Sequence, residues 1–526
     1  MDHEDLDLES VEREKSLIQS LALGHGFDHS VEDIRVLDTH ISWVLLTGDF
    51  AYKIKKPIKL AFLDYSTLEK RKHYCERELE LNRRWAPDIY LDVVPICGSF
   101  RAPVVGGDGR SIEYAVKMKQ FPQSAQLDEQ LAAGLLNDDD MIDLAETVAR
   151  IHAAVPVYEA VSADAFFAAI RKAMLDNFDF LQEGTDADAI ERLLSWTRQG
   201  LEDYRATIIA RYESGFVREC HGDLYLKNLV RLPSGIVPYD CIEFSVELRN
   251  IDVISDISFL VMDLVARNET QLAYAFINRY LECSGDYAGV SLLGLYLVYH
   301  ALIRAKIAAI RAIERTRDAE RKQDREELAH YCGVARRWIE SGAPRLIIMH
   351  GFSGSGKTWL SQQLMLRLPA IRVRSDIERK RLYGLQETER SDSMVAQGLY
   401  APDARTGIYE SLAGLAGTVL EAGHDVIVDA SFLDRAERDR FRDLARRAGS
   451  EFVIVSATAT RDELQRRIEH REQTGRDPSE ADLAVLGYQF EHADPLDADE
   501  RECAIEVATD SSIDFDGLIS ERLGRC

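Results

Sequence analysis

Two short stretches carry residue types at spacings suited to chemistry on phosphate groups. The first is His221-Gly-Asp223-Leu-Tyr-Leu-Lys-Asn228. An aspartate so placed can accept the proton of a hydroxyl, and an amide five residues on can reach a cation held by phosphates. Asp240 follows twelve residues later, at the end of the extended run Gly235–Tyr239, where a second cation-binding carboxylate belongs. A His-Gly-Asp triplet alone is a common turn. Asn228 and Asp240 at these distances make it a phosphoryl-transfer loop. The second stretch, Gly351-Phe-Ser353-Gly354-Ser355-Gly356-Lys357-Thr358, fits G-x-x-x-x-G-K-[ST] in full. Its glycines let the backbone curl so that N–H groups face a phosphate, and a following helix adds partial positive charge. Lys357 can then reach the β- and γ-phosphates of a nucleotide, and Thr358 can hold Mg²⁺.

Other residues belong with each stretch. Phe50-Ala-Tyr-Lys53 reads as a strand ending in a phosphate-binding lysine, and Glu78 on the next helix is its partner. Strand alternation puts Lys55 on the same face as Lys53, so the choice between them stays open. Around the second stretch, Asp429 ends the apolar run Val426-Ile-Val and suits the Mg²⁺ shell. Asp376 follows another strand and can serve as a base, with Arg374, Arg379 and Arg381 nearby to bind an anionic group of the acceptor. Arg379 is the expected substrate contact. Arg467 and Arg471 stand four apart on a helix, a spacing suited to a lid over the transferring group.

The elements that must position these residues divide the chain near Gly342-Ala343-Pro344. Downstream, Leu346–Met349, Ile371–Val373, Val426–Val428, Phe452–Val455 and Ala504–Val507 alternate with helical segments, which predicts a doubly wound parallel sheet. Upstream, extended segments at Ile41–Thr47, Phe50–Ile54, Val93–Ile96 and Tyr114–Lys119 surround a charged helix, Leu68–Trp85. The rest is mostly helical, with a β-rich insertion at Val217–Phe244. A small sheet lobe before a larger helical lobe makes a cleft suited to a nucleotide.

Composition narrows the partners. The 526 residues carry a formal net charge of -26, which argues against general nucleic-acid binding. Met1–Asp5 lacks the features of a signal peptide. The apolar stretch Ala288–Ile303, closed by Arg304 and Lys306, is too short to span a membrane and reads as a core helix. Eight scattered cysteines without a C-x-x-C pair fit a reduced, cytoplasmic protein with no membrane association.

The second region resembles the P-loop kinase group that holds polynucleotide 5′-kinases, gluconate-kinase-like enzymes, chloramphenicol phosphotransferases and zeta-toxin-like kinases. The likeness rests on Gly351–Thr358, Ser375-Asp376 with Arg379, Asp429-Ala430-Ser431 and the Arg467/Arg471 pair; Trp359 is a bulky departure. The first resembles the aminoglycoside phosphotransferase family, a branch of the protein-kinase-like fold. That likeness implies Asp223 as base, Asn228 and Asp240 as Mg²⁺ ligands, Lys53 with Glu78 as the phosphate-positioning pair, His221 as support for the loop and Asp256 as its brace. Tyr225 departs from it, standing where that family usually has a histidine. The order of the two is similar to a bacterial family described as bifunctional aminoglycoside phosphotransferase-like/ATP-binding proteins.

The resemblance implies an α/β and α+β architecture: an N-terminal bilobal protein-kinase-like domain over 25–335 and a C-terminal P-loop domain over 345–526. It implies ATP and Mg²⁺ as cofactors and a small-molecule hydroxyl acceptor at each site. Two other readings stay open: a non-catalytic first domain that senses ATP or a metabolite, and a second domain that phosphorylates nucleic-acid 5′ ends.

Overall fold

The computed structural model of the chain describes residues 8–24, 26–31, 33–60, 63–181, 186–340, 342–385, 389, 402–474 and 482–523. The chain forms two compact units, Met1–Phe166 with Thr207–Leu260, and Phe167–Ala206 with Val261–Cys526.

The first unit is built on a six-stranded antiparallel sheet: β1 (Arg35–Asp38), β2 (Ser42–Leu46), β3 (Phe50–Lys55), β4 (Tyr90–Ser99), β5 (Ala102–Val105) and β6 (Ser111–Lys119), in the order β1-β2-β3-β6-β4-β5. β3 is central, pairing with β2 and β6. One face buries Trp43, Leu45, Tyr52 and Ile54, and the other packs Ala51, Val116 and Met118 with Cys75. Helix α1 (Leu68–Asn82) is capped by the Thr67 side chain, which accepts from Lys70 N–H. Short strands β7 (Val217–Glu219), β8 (Leu229–Leu232), β9 (Gly235–Pro238) and β10 (Asn250–Asp252) frame the His221–Asn228 segment as two antiparallel pairs. Helix α2 (Asp138–Ala154), opened by an Asn137/Asp140 capping box, and α3 (Val253–Ala266) supply residues that hold that loop.

In the second unit, β11 (Arg345–His350), β12 (Ala370–Arg374), β13 (Asp425–Asp429), β14 (Glu451–Thr458) and β15 (Ala504–Ala508) form an all-parallel sheet in the order β12-β13-β11-β14-β15. Ile347 at its centre is in register with Ile427 and Val453. The central strands are buried on both faces, which is why they read as unbroken apolar runs. All five strands fall where the sequence places them. Helices α4 (Thr270–Ser284), α5 (Val290–Glu314), α6 (Lys357–Arg367), α7 (Ser375–Leu382), α8 (Pro402–Glu421), α9 (Arg435–Ala448), α10 (Arg461–Thr474) and α11 (Leu483–His492) belong to the same unit.

The units cut the chain differently from the expected limits of 25–335 and 345–526. Residues 261–340 share a unit with the parallel sheet because α4 pairs with its edge. Asn278 Nδ2 donates to Ala370 O at 3.0 Å, and Arg372 N donates to Asn278 Oδ1 at 2.6 Å. An edge strand left bare would present such unpaired N–H and C=O groups to other chains, so the helix also protects it.

Helix α5 continues past Arg304 and Lys306 to Glu314. The segment Tyr287–Glu314 is long and apolar enough to cross a membrane by length and composition, and 61% of its most apolar window is buried inside the protein. Cys75, Cys97, Cys220 and Cys241 are buried and Cys283 is exposed; Cys526 lies outside the described residues.

Candidate active sites

The first site begins with two lysines on one face of β3. Both reach Glu78, which is fully buried on α1: Lys53 Nζ donates to Oε1 at 2.8 Å and Lys55 Nζ to Oε2 at 2.7 Å. Their second partners separate them. Lys53 contacts Asp240 Oδ1 at 2.5 Å, whereas Lys55 bonds Glu243, which also accepts from the Tyr65 hydroxyl at 2.5 Å. Lys53 is thus the lysine that meets the expected cation ligand, and Lys55 is its anchor. Burial alone would lower both lysines. Asp240, Glu78 and Glu243 outweigh it for Lys53, and Glu243 and Glu78 for Lys55, so both are held well above the ordinary range. Glu78 is held low by the same two lysines, against the upward push of its burial.

Asp240 has a left-handed backbone, φ 62°, a conformation aspartate tolerates better than most residues. Its N–H donates to the Tyr90 hydroxyl at 3.0 Å, and the next N–H, of Cys241, donates to Asn82 Oδ1 at 2.9 Å. These bonds turn the Asp240 side chain, 43% exposed, toward Lys53. Asn228 Nδ2 donates to Asp223 Oδ2 at 2.7 Å and to Asp223 O at 3.0 Å. That leaves the amide oxygen of Asn228 and the carboxylate of Asp240 as donors of the hard-oxygen type Mg²⁺ takes. Two lysines against Glu78, Glu243 and Asp240 leave one net negative charge, which also fits a divalent cation.

His221 is fully buried and supports the loop. Its Nε2 lies 3.0 Å from Tyr239 O, and its Nδ1 accepts from Asp223 N at 3.3 Å. This pair requires the neutral ring protonated on Nε2, and burial lowers its pKa accordingly. Asp256 braces the loop as expected, accepting from His221 N at 3.2 Å and Gly222 N at 2.8 Å, with His152 Nε2 at 3.0 Å. Gly222 lies at φ 82°, and a Cβ there would meet Leu248 O at 2.7 Å. Tyr225 stacks on Phe259 at 5.2 Å.

The second site is the loop between β11 and α6. Gly351 sits at φ 140°, where a Cβ would lie 2.4 Å from Ala457 O, and its N–H donates to Ser431 O just beyond β13. Gly354 faces the backbone of α10, where a Cβ would meet Leu464 O at 2.7 Å. Lys357 Nζ donates to Phe352 O at 2.7 Å, and Ser353 N donates to Gln489 Oε1 on α11 at 2.8 Å. Ser355 Oγ is buried without a hydrogen-bond partner. An unsatisfied hydroxyl in a loop of this shape fits a phosphate oxygen. Burial pushes the Lys357 ammonium down to about 8; Asp429 and Asp376 act against that shift and Arg471 with it.

Ser361 Oγ, on the first turns of α6, donates to Asp429 Oδ2 at 3.2 Å and to Thr358 O at 2.9 Å. This ties the two expected Mg²⁺ residues together, and their oxygens are again the hard donors that ion takes. Asp376, 26% exposed at its side chain, pairs with Arg379 Nη1 at 3.3 Å. Arg467 is engaged elsewhere than the expected lid. Its guanidinium bonds Glu463 at 2.6 Å, Gly354 O at 3.3 Å, and Thr509 Oγ1 and O at 2.9 Å each. It braces the loop from beneath, because α10 packs against Gly354. Trp359 points outward, 48% exposed, against Phe515. The residues the sequence reading missed are Tyr65, Asn82, Tyr90 and His152 at the first site and Ser361, Arg372, Glu282 and Gln489 at the second; of the latter only Ser361 carried a signal, one helical turn beyond Thr358.

Comparison with known proteins follows the same division. A protein family described as an AAA domain matches residues 346–496. An uncharacterized protein of Mycobacterium tuberculosis (strain ATCC 25618 / H37Rv) is 28% identical over 447 residues, covering 84% of this chain and 87% of its own. Among solved structures, a putative kinase from Chloroflexus aurantiacus j-10-fl is 22% identical with a TM-score of 0.29, covering 34% of this chain and 97% of that one. A choline kinase from Cryptosporidium parvum Iowa II is 11% identical with a TM-score of 0.37, covering 59% and 90%. The chain thus has two compact units, and the family match falls within the second, on the region that carries the glycine-rich loop.

Proposed function

We propose that the chain is an ATP-dependent phosphotransferase with two sites, each transferring the γ-phosphoryl group of ATP to a hydroxyl of a small metabolite. One observation supports the reading: the same residue types recur in both regions, a lysine, a carboxylate of the kind that suits a cation, and a separate, partly exposed aspartate. These are Lys53, Asp240 and Asp223 in one, and Lys357, Asp429 and Asp376 in the other.

At the first site Asp223 takes the proton of the acceptor hydroxyl, whose oxygen forms the new bond to phosphorus as the bond to ADP breaks. The Asn228 bond of 2.7 Å fixes the orientation of that carboxylate. Lys53, held by Glu78, positions the phosphates. At the second site Asp376 takes the proton, oriented by Arg379, while Lys357 and the glycine-rich loop bind the phosphates. Mg²⁺, held by Asn228 and Asp240 or by Thr358 and Asp429, neutralises phosphate charge when bound. The net charge of -26 favours small acceptors over nucleic-acid ends.

The test is incubation of the protein with γ-labelled ATP, Mg²⁺ and a fractionated small-molecule extract. Label in phosphate esters is the expected result. Label in inorganic phosphate alone, or no turnover with any fraction, contradicts the proposal.

A further inference from the structure

Arg372 and Arg374 stand two residues apart on β12 and share a face of the strand. Both approach the carboxylate expected to hold the cation of the second site. Arg374 Nε lies 3.9 Å from Asp429 Oδ2. Arg372 Nη1 lies 3.4 Å from Ser361 Oγ, which itself donates to Asp429 Oδ2. Two guanidinium groups beside such a carboxylate are competitors of a divalent cation, because in a buried setting their charges are poorly screened.

A third group draws them away. Glu282 on α4, 5% exposed, takes Arg372 Nη2 on Oε1 at 2.8 Å and Arg374 Nη1 on Oε2 at 3.6 Å. Its burial would raise its pKa, but Arg372, Arg374 and Arg279 more than offset that and keep it ionised. The position of Glu282 is fixed by the pairing of Asn278, one turn earlier on α4, with the backbone of β12. The Tyr287 hydroxyl adds a bond to Arg372 O at 3.3 Å. The two paths from Glu282 to Asp429 therefore have a defined geometry at both ends.

We infer that Glu282 is a positioning residue of the second site, sharing the guanidinium of Arg374 with Asp429 and so keeping that ion pair long and the Asp429 carboxylate available to Mg²⁺. The inference rests on the reading above that Asp429 binds the cation. It gives the P-loop region a functional residue that lies upstream of residue 345.

The test uses the full chain carrying Asp240→Asn, which removes the carboxylate expected to hold the cation of the first site, and compares every variant with that parent. Calorimetry measures binding of a non-hydrolysable ATP analogue as Mg²⁺ is varied. Glu282→Gln is expected to raise the Mg²⁺ concentration for half-maximal binding about tenfold, leaving metal-free nucleotide affinity unchanged. Adding Arg374→Met to Glu282→Gln is expected to restore the parent requirement. An unchanged Mg²⁺ requirement, or a loss that Arg374→Met does not restore, overturns the inference. If Glu282→Gln does not fold, judged by its thermal transition, Arg374→Met alone decides: an unchanged or lower Mg²⁺ requirement supports the inference and a higher one overturns it. A parent chain whose nucleotide binding ignores Mg²⁺ overturns the cation reading itself, and the role of Glu282 with it.

Discussion

The lysines to which the proposed function gives one task, Lys53 and Lys357, stand in opposite surroundings. Lys53 is enclosed by carboxylates of its own protein and is held well above the ordinary lysine range. Lys357 is half-buried, meets among the described residues a backbone carbonyl and no carboxylate at hydrogen-bond distance, and is pushed down to about 8 by desolvation. The first site balances its charge in advance; the second leaves its lysine without a carboxylate at hydrogen-bond distance among the described residues, which suits the phosphate the proposed function would bring. A pre-balanced site is rigid and tolerates little change in its partners, whereas an unbalanced one ties ligand affinity to protonation.

The largest effect follows from breaking the balance at the first site. Glu78→Ala would leave Lys53 and Lys55 buried without their shared partner. Removing one member of a buried charged network costs about 3–5 kcal/mol. Chemical denaturation should show a loss of that size, and a loss below about 1 kcal/mol would mean that Asp240 and Glu243 alone balance the lysines.

Protonation sharpens the contrast at the second site. Bound phosphate favours the charged form of Lys357, so binding above pH 8 must take up a proton. Nucleotide affinity should be flat below about pH 8 and fall as pH rises beyond it, by up to about tenfold per unit. Calorimetry across pH 7 to about 9.5 in the Asp240→Asn chain would show it. A flat profile would mean that the nucleotide does not engage Lys357.

Asn278→Ala should have a middling effect, removing two hydrogen bonds to the edge strand at a cost of about 1–3 kcal/mol. The loss should appear in the unfolding of the second unit, and its absence would remove α4 from the account of that sheet. The smallest effect is expected at the exposed Lys70–Asp64 pair, 2.6 Å apart with side chains 45% and 33% exposed. Lys70→Met should change stability by less than about 1 kcal/mol, a baseline for the buried pairs.

How much of this was legible in sequence depended on how local the signal is. The strands of the parallel sheet stood out because strands buried on both faces are continuous apolar runs, as in Leu346-Ile-Ile-Met349. The strands Arg35–Asp38 and Ala102–Val105 did not, being four residues each and largely exposed. Loop motifs revealed Asp223, Asn228 and Lys357 because the chemistry fixes their spacing. Lys53 and Lys55 could not be told apart by alternation, which places both on one face; only the positions of Asp240 and Glu243 distinguish them. Arg467 looked like a lid residue from its spacing to Arg471, but the missing side chain of Gly354 lets α10 approach and turns Arg467 to the loop. Glu282 gave no signal, lying 90 residues before Arg372.

The most direct test of two separate sites is the labelled-transfer assay run in parallel on the parent chain, Asp223→Ala and Asp376→Ala. Loss of a general base typically lowers the rate about 10²–10⁴-fold. The account predicts that each substitution removes a different labelled product and leaves the other intact. If one substitution abolishes all transfer while the other changes none, a single site does the chemistry and the two-site account is wrong.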